Sequence, residues 1–224
     1  MYFFLEAVSP SDKSKAFNLR YQVYCSEKRW LEKSNYPDEI EYDKEDERSA
    51  IFLAVDKITG QAVGTVRLII NAHSGWPLPI AWHPSIKGNI STENCVEISR
   101  LSILPNARKG NVFVGLIKLL FLHIISNYCN SDSVFFSVEQ RFLNIVNQLG
   151  FDFTPLASSA LWYGDYLIPS RQKIKSLESS VKRKNPCFYG WLWDSPETMN
   201  RNKRLVAFFK AGHTDKPYSA LSTF

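Results

Sequence analysis

The stretch Asn94-Cys95-Val96-Glu97-Ile98-Ser99-Arg100-Leu101-Ser102-Ile103-Leu104 has the composition of a β-strand, but its alternation breaks in the middle. Val96 and Ile98 are even-numbered, whereas Leu101 and Ile103 are odd-numbered. One extra residue near Ser99–Arg100 restores a single buried face, which is the effect of a β-bulge. The stretch therefore predicts a bulged strand. Such bulges are frequent beside active sites.

Strand and helix patterns alternate on both sides of this bulged strand. The predicted elements are, in chain order, a helix starting at Ser9-Pro10-Ser11-Asp12, a hairpin of Ile51–Asp56 and Ala62–Ile70, the bulged strand, a helix over Val112–Tyr128, a strand over Ser133–Val138, a helix over Glu139–Leu149, and a hairpin over Phe153–Ile168 that turns at Tyr163-Gly164-Asp165. A long loop, Asn71–Ser91 with Trp76 and Trp82, is expected to help select the substrate. This order predicts an α/β fold whose mixed, mainly antiparallel central sheet has helices on both faces.

The charge of the chain is unevenly distributed. The 224 residues carry a net charge of +5, made up of −3 in residues 1–50, +1 in residues 51–166 and +7 in residues 167–224. We expect residues 1–168 to form one domain, with residues 169–224 as a basic, aromatic-containing C-terminal extension packed on it. A basic terminal quarter favours an acidic partner.

Several classes of protein are not indicated. The four cysteines and four histidines lack metal-site spacing, so no metal is expected. No helix-turn-helix or zinc-finger signature suggests nucleic acid. Val112–Ile125, the most apolar run, has about 14 residues and is interrupted by Lys118, short of the ~20 that a membrane span needs. With no leader pattern at the N-terminus, the sequence predicts a cytoplasmic protein without stable membrane insertion.

A polar constellation lies within these otherwise apolar elements. Its members are Arg20-Tyr21-Gln22-Val23-Tyr24, Trp30, the Glu41/Asp43/Asp46 acidic set, Gly64-Thr65-Val66-Arg67-Leu68, and Glu97-Ile98-Ser99-Arg100. The predicted bulge brings Glu97 and Arg100 to the same, non-core face of their strand. In this order and spacing the constellation is far more specific than any one of its parts.

The constellation resembles the acyl-homoserine-lactone synthases and their relatives, the N-acyl amino acid synthases and the acyltransferases associated with PEP-CTERM/exosortase systems. These families have a GNAT-like acyltransferase fold, and the resemblance covers about residues 15–165. Tyr24-Cys25-Ser26-Glu27 and Asn35-Tyr36-Pro37-Asp38 are more similar to the exosortase-associated and N-acyl amino acid branch.

The resemblance implies an N-acyltransferase that moves a fatty acyl group from an acyl-carrier-protein thioester to the α-amine of an amino acid, with no further cofactor. The alternatives are a lactone synthase that uses S-adenosylmethionine, a CoA-dependent acetyltransferase, and a non-catalytic sensor of an acyl chain or amino acid. The loop Ala107–Val112 lacks the leading Arg or Gln and the final Gly or Ala of the GNAT pyrophosphate loop, which favours the carrier protein over CoA. Arg108, Lys109 and Lys118 are candidate docking charges for that acidic partner.

The reaction implied is attack of an amine on a thioester, which needs a base because an α-amino group has a pKa of about 8. Glu41 or Glu97 could take the proton, and a backbone N–H freed by the bulge near Leu101–Ser102 could stabilise the oxyanion. Trp30 belongs to the substrate site. Arg20, Arg67 or Arg100 could bind the acceptor's carboxylate. Alternatively, Arg20 or Arg67 braces Asp43 and Asp46, and we favour bracing for at least one of these arginines. Phe113, Leu116 and Leu120 are expected to line an acyl tunnel between the apolar helix and the sheet.

Overall fold

The computed structural model describes residues 1–70, 86, 94–109, 111–162 and 164–193. The predicted selectivity loop, with Trp76 and Trp82, lies outside the described residues, as does the chain beyond residue 193.

The strands form one mixed sheet on which the rest of the described chain packs. They are β1 (Tyr2–Glu6), β2 (Ser49–Asp56), β3 (Ala62–Ile70), β4 (Val96–Ile103), β5 (Ser133–Val138), β6 (Thr154–Pro155), β7 (Ala160–Trp162) and β8 (Asp165–Lys173). Their order is β1-β2-β3-β4-β5-β8-β6, and β7 pairs with β8. The β4–β5 pair is parallel, whereas the other pairs are antiparallel. The mixed, mainly antiparallel sheet predicted from the sequence is confirmed.

Helices cover both faces of this sheet. They are α1 (Pro10–Tyr21), α2 (Val112–Asn127), α3 (Gln140–Gln148), α4 (Ile174–Lys184) and α5 (Pro186–Trp193). In β2, Phe52 packs in the main core with α2, whereas Ile51 and Leu53 pack on the opposite face beside Ala16 of α1. The start of α1 follows the sequence prediction, because the Ser9 side chain accepts a hydrogen bond from the Asp12 backbone N–H at 3.1 Å and Pro10 opens the helix. After Tyr21 the chain continues as a π-helical turn over Gln22–Glu27.

The predicted bulge is present between β3 and β4. Arg67 of β3 pairs with Ser99 of β4, and Thr65 pairs with Ser102. Val66, which lies between Thr65 and Arg67, therefore faces two residues of β4, Arg100 and Leu101. Arg100, one of those two, has a φ of 53°, in the left-handed region that non-glycine residues seldom occupy. The bulge thus turns the Arg100 side chain away from the direction that regular alternation would impose.

Two features differ from the sequence prediction. The N-terminal strand β1 was missed, and the expected boundary after residue 168 falls inside β8, whose residues Ile168–Lys173 pair with β5. Pro169 lies within β8 although it cannot donate a hydrogen bond, and its carbonyl accepts one from the Leu156 backbone N–H at 2.8 Å. Leu177 of α4 and Trp191 of α5 belong to the main core, so residues 169–193 are part of the same structural unit.

Within the described ranges, no helix is long and apolar enough to cross a membrane.

Candidate active site

The acidic segment after α1 is folded by its own carboxylates. Asp43 caps a short 3₁₀ turn, Lys44–Arg48, by accepting a hydrogen bond from the Glu45 backbone N–H at 2.9 Å. In return, Asp46 accepts one from the Asp43 backbone N–H, also at 2.9 Å. This reciprocal capping fixes two of the three motif carboxylates relative to each other.

Two buried arginines hold the acidic segment against the sheet. Arg20 Nη1 lies 2.7 Å from Asp46 Oδ1, and the Arg20 side chain has no exposed surface. Arg67 Nη1 lies 2.6 Å from Asp43 Oδ1 and 3.2 Å from Asp46 Oδ2. The Arg67 Nε donates to the Ser99 hydroxyl at 2.9 Å, which connects the cluster to the bulged strand.

Arg100 completes this cluster from the bulge itself. Its guanidinium lies 3.0 Å from Glu41 Oε1 and 2.8 Å from Asp43 Oδ2. Glu41 is fully buried and its other oxygen lies 3.9 Å from Arg20. The bulge is what allows Arg100 to reach these carboxylates.

Ion pairing outweighs burial at Asp43. Burial alone would raise the pKa of Asp43, but the guanidinium groups of Arg67 and Arg100 hold the pKa of that carboxyl below its ordinary value. At Arg20, burial lowers the pKa of the guanidinium, and Asp46 opposes that shift. Arg20 and Arg67 are therefore bonded to Asp43 and Asp46 as the bracing alternative requires, and Arg100 is bonded to Glu41 and Asp43.

A cavity of about 190 Å³ begins beside this cluster and runs into the apolar core. It passes between β4 and β5, whose pairing ends at Ile98 and Phe136 although both strands continue. At one end it is lined by Trp162, which is 41% exposed, and by Asp165; we call this end the mouth. At the other end it reaches the buried Phe151 and Leu177.

Some of the predicted site residues line the cavity, and others lie outside its lining. The lining members are Trp30, Arg67, Glu97, Arg100 and Leu101. The members outside the lining are Arg20, Glu41, Asp43, Asp46, Ser102, Phe113 and Leu116. Glu97 is only 5% exposed and Glu41 is fully buried, so both candidate bases lie inside the protein, but of the two only Glu97 lines the cavity.

An aromatic pair joins the mouth to the bulge. Tyr24 stacks on Trp30 with ring centroids 5.5 Å apart, and its hydroxyl lies 3.4 Å from the Leu101 carbonyl oxygen. Burial raises the pKa of Tyr24, so its hydroxyl stays protonated. Gly164, in the turn of the β7–β8 hairpin, packs so close to Trp30 that a Cβ there would lie 2.8 Å from the indole. The hairpin turn thus forms one wall of the mouth.

Of the three helix residues predicted to line the apolar part, Leu120 does so, whereas Phe113 and Leu116 do not. Leu116 packs against the β3 backbone at Gly64, and the Phe113 ring meets Phe142 of α3 at 5.2 Å. The lining face of α2 is instead the stripe Ile117, Leu120, Phe121 and Ile124. The sequence pattern could not separate the two faces because α2 is apolar nearly all round.

Two of the three predicted docking cations are buried. Arg108 makes a two-pronged ion pair with Glu27 at 2.5 and 2.6 Å and also donates to the Ile103 carbonyl at 2.9 Å. Lys118 is 4% exposed and donates to the Trp191 carbonyl at 2.7 Å. Both therefore serve internal contacts, and neither is a surface docking charge. Lys109 is exposed, as that role requires.

Three residues near the mouth were not identified from the sequence. Ser137 lines the cavity from β5, opposite the bulge. Glu139 follows that strand and lies within hydrogen-bond reach of Asp165; burial and the Asp165 charge raise the pKa of Glu139. These positions carry no sequence motif, and only the pairing of β5 with β8 brings them together.

Among the described residues, no group of three or more His, Cys, Asp or Glu side chains is arranged to hold a metal ion.

Comparison with known structures identifies the fold. The CoA-dependent acyl-homoserine lactone synthase BjaI, solved with SAM and isopentyl-CoA, is 21% identical, with a TM-score of 0.65 over 84% of this chain and 89% of that one. TofI, solved with an inhibitor and MTA, is 14% identical, with a TM-score of 0.64 over 84% and 99% of the two chains. The N-acyl amino acid synthase FeeM from uncultured soil microbes is 13% identical, with a TM-score of 0.58 over 82% and 97%. The fold is thus the GNAT-like acyltransferase fold.

Sequence comparison identifies the family. No curated protein sequence shows a significant match. The family model described as N-acyl amino acid synthase FeeM, however, matches residues 15–157, well over half of the chain. With its constellation gathered at the bulge, this chain belongs to the FeeM family of acyl-transferring synthases.

Proposed function

We propose that this protein transfers a fatty acyl group from an acyl-carrier-protein thioester to the α-amine of an amino acid. The observation that carries the proposal is the cavity that starts at Glu97 and Arg100 and continues between β4 and β5 into the core. A polar start and an apolar continuation match a substrate whose reactive thioester is followed by a hydrocarbon chain.

The apolar part of the cavity suits a fatty acyl chain. Beyond the bulge it is lined by aliphatic and aromatic side chains from α2, α3 and β5, and it is closed by Phe151 and Leu177. Burying a methylene group contributes about 0.8 kcal/mol. A chain of several carbons therefore binds well without any polar contact.

Glu97 is the residue to which we assign proton removal from the attacking amine. It lines the cavity, whereas the Glu41 carboxylate is held at 3.0 Å by Arg100 behind the lining. Glu41 is then a positioning residue that orients Arg100.

The acceptor's carboxylate is assigned to Arg100. Arg20 is fully buried, and Arg67 is bonded to both Ser99 and Asp43. The Arg100 side chain, in contrast, lines the cavity and is 12% exposed. In the reaction, the amine nitrogen attacks the thioester carbonyl as its proton passes to Glu97. The tetrahedral intermediate then collapses to an amide as the C–S bond breaks, and the leaving sulfur takes the proton from Glu97, which releases the carrier protein's thiol and restores the carboxylate.

The oxyanion of that intermediate is assigned to a backbone N–H at the bulge. Val66 of β3 lies opposite both Arg100 and Leu101 and can pair with only one of them. The bulge therefore leaves one backbone N–H of β4 without a partner in the hydrogen-bond ladder. Losing one oxyanion donor costs about 3–4 kcal/mol in the barrier. Ser102, the next residue along β4 after Leu101, is again paired with Thr65 of β3.

The loop before α2 supports a carrier protein as the donor. A pyrophosphate loop needs small residues and free backbone donors at a helix start. Here Arg108 folds inward onto Glu27, so this cation is not presented to a phosphate. The phosphates of CoA would find little in this loop to bind them.

The experiment is an incubation of the full chain with acyl-carrier protein or, in parallel, acyl-CoA. Each donor is offered the twenty amino acids together with S-adenosylmethionine, and products are identified by mass spectrometry. An N-acyl amino acid formed mainly from the carrier protein supports the proposal and identifies the acceptor. A lactone would assign the protein to the signalling branch. If neither donor gives a product, the alternative of a non-catalytic sensor of an acyl chain or amino acid is favoured.

A further inference from the structure

A basic groove lies on the side of the protein away from the cavity mouth. It has a volume of about 610 Å³ and is formed where β6 and the end of β8 meet the outer face of α4. Its cationic lining is Arg171, Lys173 and Lys175, and its hydroxyls come from Thr154, Ser176 and Ser179. We call this the basic groove.

The charge of the basic groove is strongly one-sided. Among the described residues that line it, the single carboxylate is Asp152, which already pairs with Arg183 at 3.3 Å and with Lys184. Within the described part of the chain, Lys173 and Lys175 make no salt bridge, and both are exposed. Five cations therefore surround one carboxylate, and hydroxyl groups lie between them.

An aromatic edge continues this surface. Lys175, Ser179 and Lys182 are spaced by four and three residues, so they form one outward stripe along α4. The Lys182 ammonium lies 5.6 Å from the Tyr189 ring. That ring in turn lies 6.3 Å from the Trp193 ring, and Trp193 is half exposed.

The position of the basic groove argues against delivery of the acyl donor. β8 runs from Asp165 at the mouth to Lys173 at the groove, which is eight residues or about 26 Å of strand. Leu177, on the inner side of α4, closes the far end of the cavity beneath the groove. A carrier protein that presents a thioester at the mouth would therefore approach a different end of the molecule.

We propose that the basic groove and its aromatic edge bind the anionic phospholipid surface of a membrane. Lysine and arginine donors match the phosphate oxygens of lipid headgroups. A half-exposed tryptophan suits the boundary between headgroups and acyl chains. The protein would then lie on the bilayer with α4 and α5 towards it. The surface lies outside the proposed acyl-transfer site, so its test needs no turnover.

The test is co-sedimentation of the full chain with vesicles of phosphatidylglycerol and phosphatidylcholine, or of phosphatidylcholine alone. We expect binding to the anionic vesicles that weakens as salt is added, because salt screens surface charge. Each lysine near an anionic surface contributes about a fivefold factor, so Lys173→Gln with Lys175→Gln lowers the partition coefficient about 25-fold. The matched control is Lys15→Gln with Lys57→Gln, two exposed lysines near the opposite edge of the sheet; it should bind as the unmodified protein does.

Equal binding to both kinds of vesicle would overturn the proposal, as would a groove variant that binds like the control. Melting curves show whether both variants are folded. Because the substituted lysines are exposed, we expect both melting temperatures to equal that of the unmodified protein. If the groove variant binds vesicles normally but needs more acyl-carrier protein for half-maximal turnover, the surface takes an acidic protein and the lipid assignment is wrong.

Discussion

Replacing Asp46 by alanine tests the bracing of the acidic segment most directly. It removes the carboxylate that lies 2.7 Å from the fully enclosed Arg20, leaving Glu41 at 3.9 Å as the nearest one. Two further nitrogens of Arg20 are buried without a hydrogen-bond partner among the described residues, so little else compensates the charge. Removing one partner of a buried ion pair costs about 3–5 kcal/mol. We expect the free energy of unfolding to fall by that amount.

The assay is equilibrium unfolding in urea, together with thermal melting. At this chain length 1 kcal/mol corresponds to about 2–4 °C, so the melting temperature should drop by about 6–20 °C. The matched control is Asp152→Ala, whose carboxylate is 42% exposed and pairs with Arg183 and Lys184; it should cost less than about 1 kcal/mol. Adding Arg20→Met to the first variant should recover part of the loss, because no uncompensated charge then remains. Equal destabilisation by the Asp46 and Asp152 substitutions would refute the bracing argument.

Three other substitutions test separate parts of the structure. Glu97→Gln should lower the turnover number about 10²–10⁴-fold with an unchanged melting temperature, measured with saturating donor and acceptor; undiminished turnover would remove this residue from proton transfer. Gly64→Ala places a Cβ 2.5 Å from Val112 and should destabilise the protein by about 1–3 kcal/mol in urea; an unchanged stability would mean that α2 is not held closely against β3. Because the pKa of Asp43 is lowered in the folded protein, its stabilisation is present above its unfolded pKa of about 3.9 and is lost as the pH falls through the folded value. The stability difference between the unmodified protein and Asp43→Asn should therefore shrink between pH 5 and pH 2, and a constant difference would contradict the ion pairing.

Local features were predictable from the sequence because they depend on neighbours in the chain. Ser9 and Pro10 mark the start of α1, since capping is decided within one turn. The bulge at Arg100 is visible as a change of parity, since alternation follows directly from the strand repeat. The ion pairs between the motif carboxylates and arginines, in contrast, could be listed only as one of two alternatives.

Features that depend on distant partners were predicted poorly. Arg108 and Lys118 were expected at the surface because cations are rarely buried, yet Glu27 and the Trp191 carbonyl satisfy them inside. Phe113 and Leu116 are as apolar as the stripe that lines the cavity, so only helix packing separates them. The Asp165–Glu139 contact joins two elements with no shared motif.

The sequence by itself determined the types of most elements between residues 9 and 168, the bulged strand and the set of charged residues from which the site is built. These follow from side-chain periodicity, turn chemistry and motif spacing, all of which are properties of the chain. Tertiary structure alone decided that Glu97 lines the cavity while Glu41 stands behind Arg100, and that β4 and β5 diverge beyond Ile98 to admit a ligand. It also decided that the basic groove lies at the far end of β8 from the mouth. The physical reason is that burial and charge pairing depend on which distant segments fill the same space.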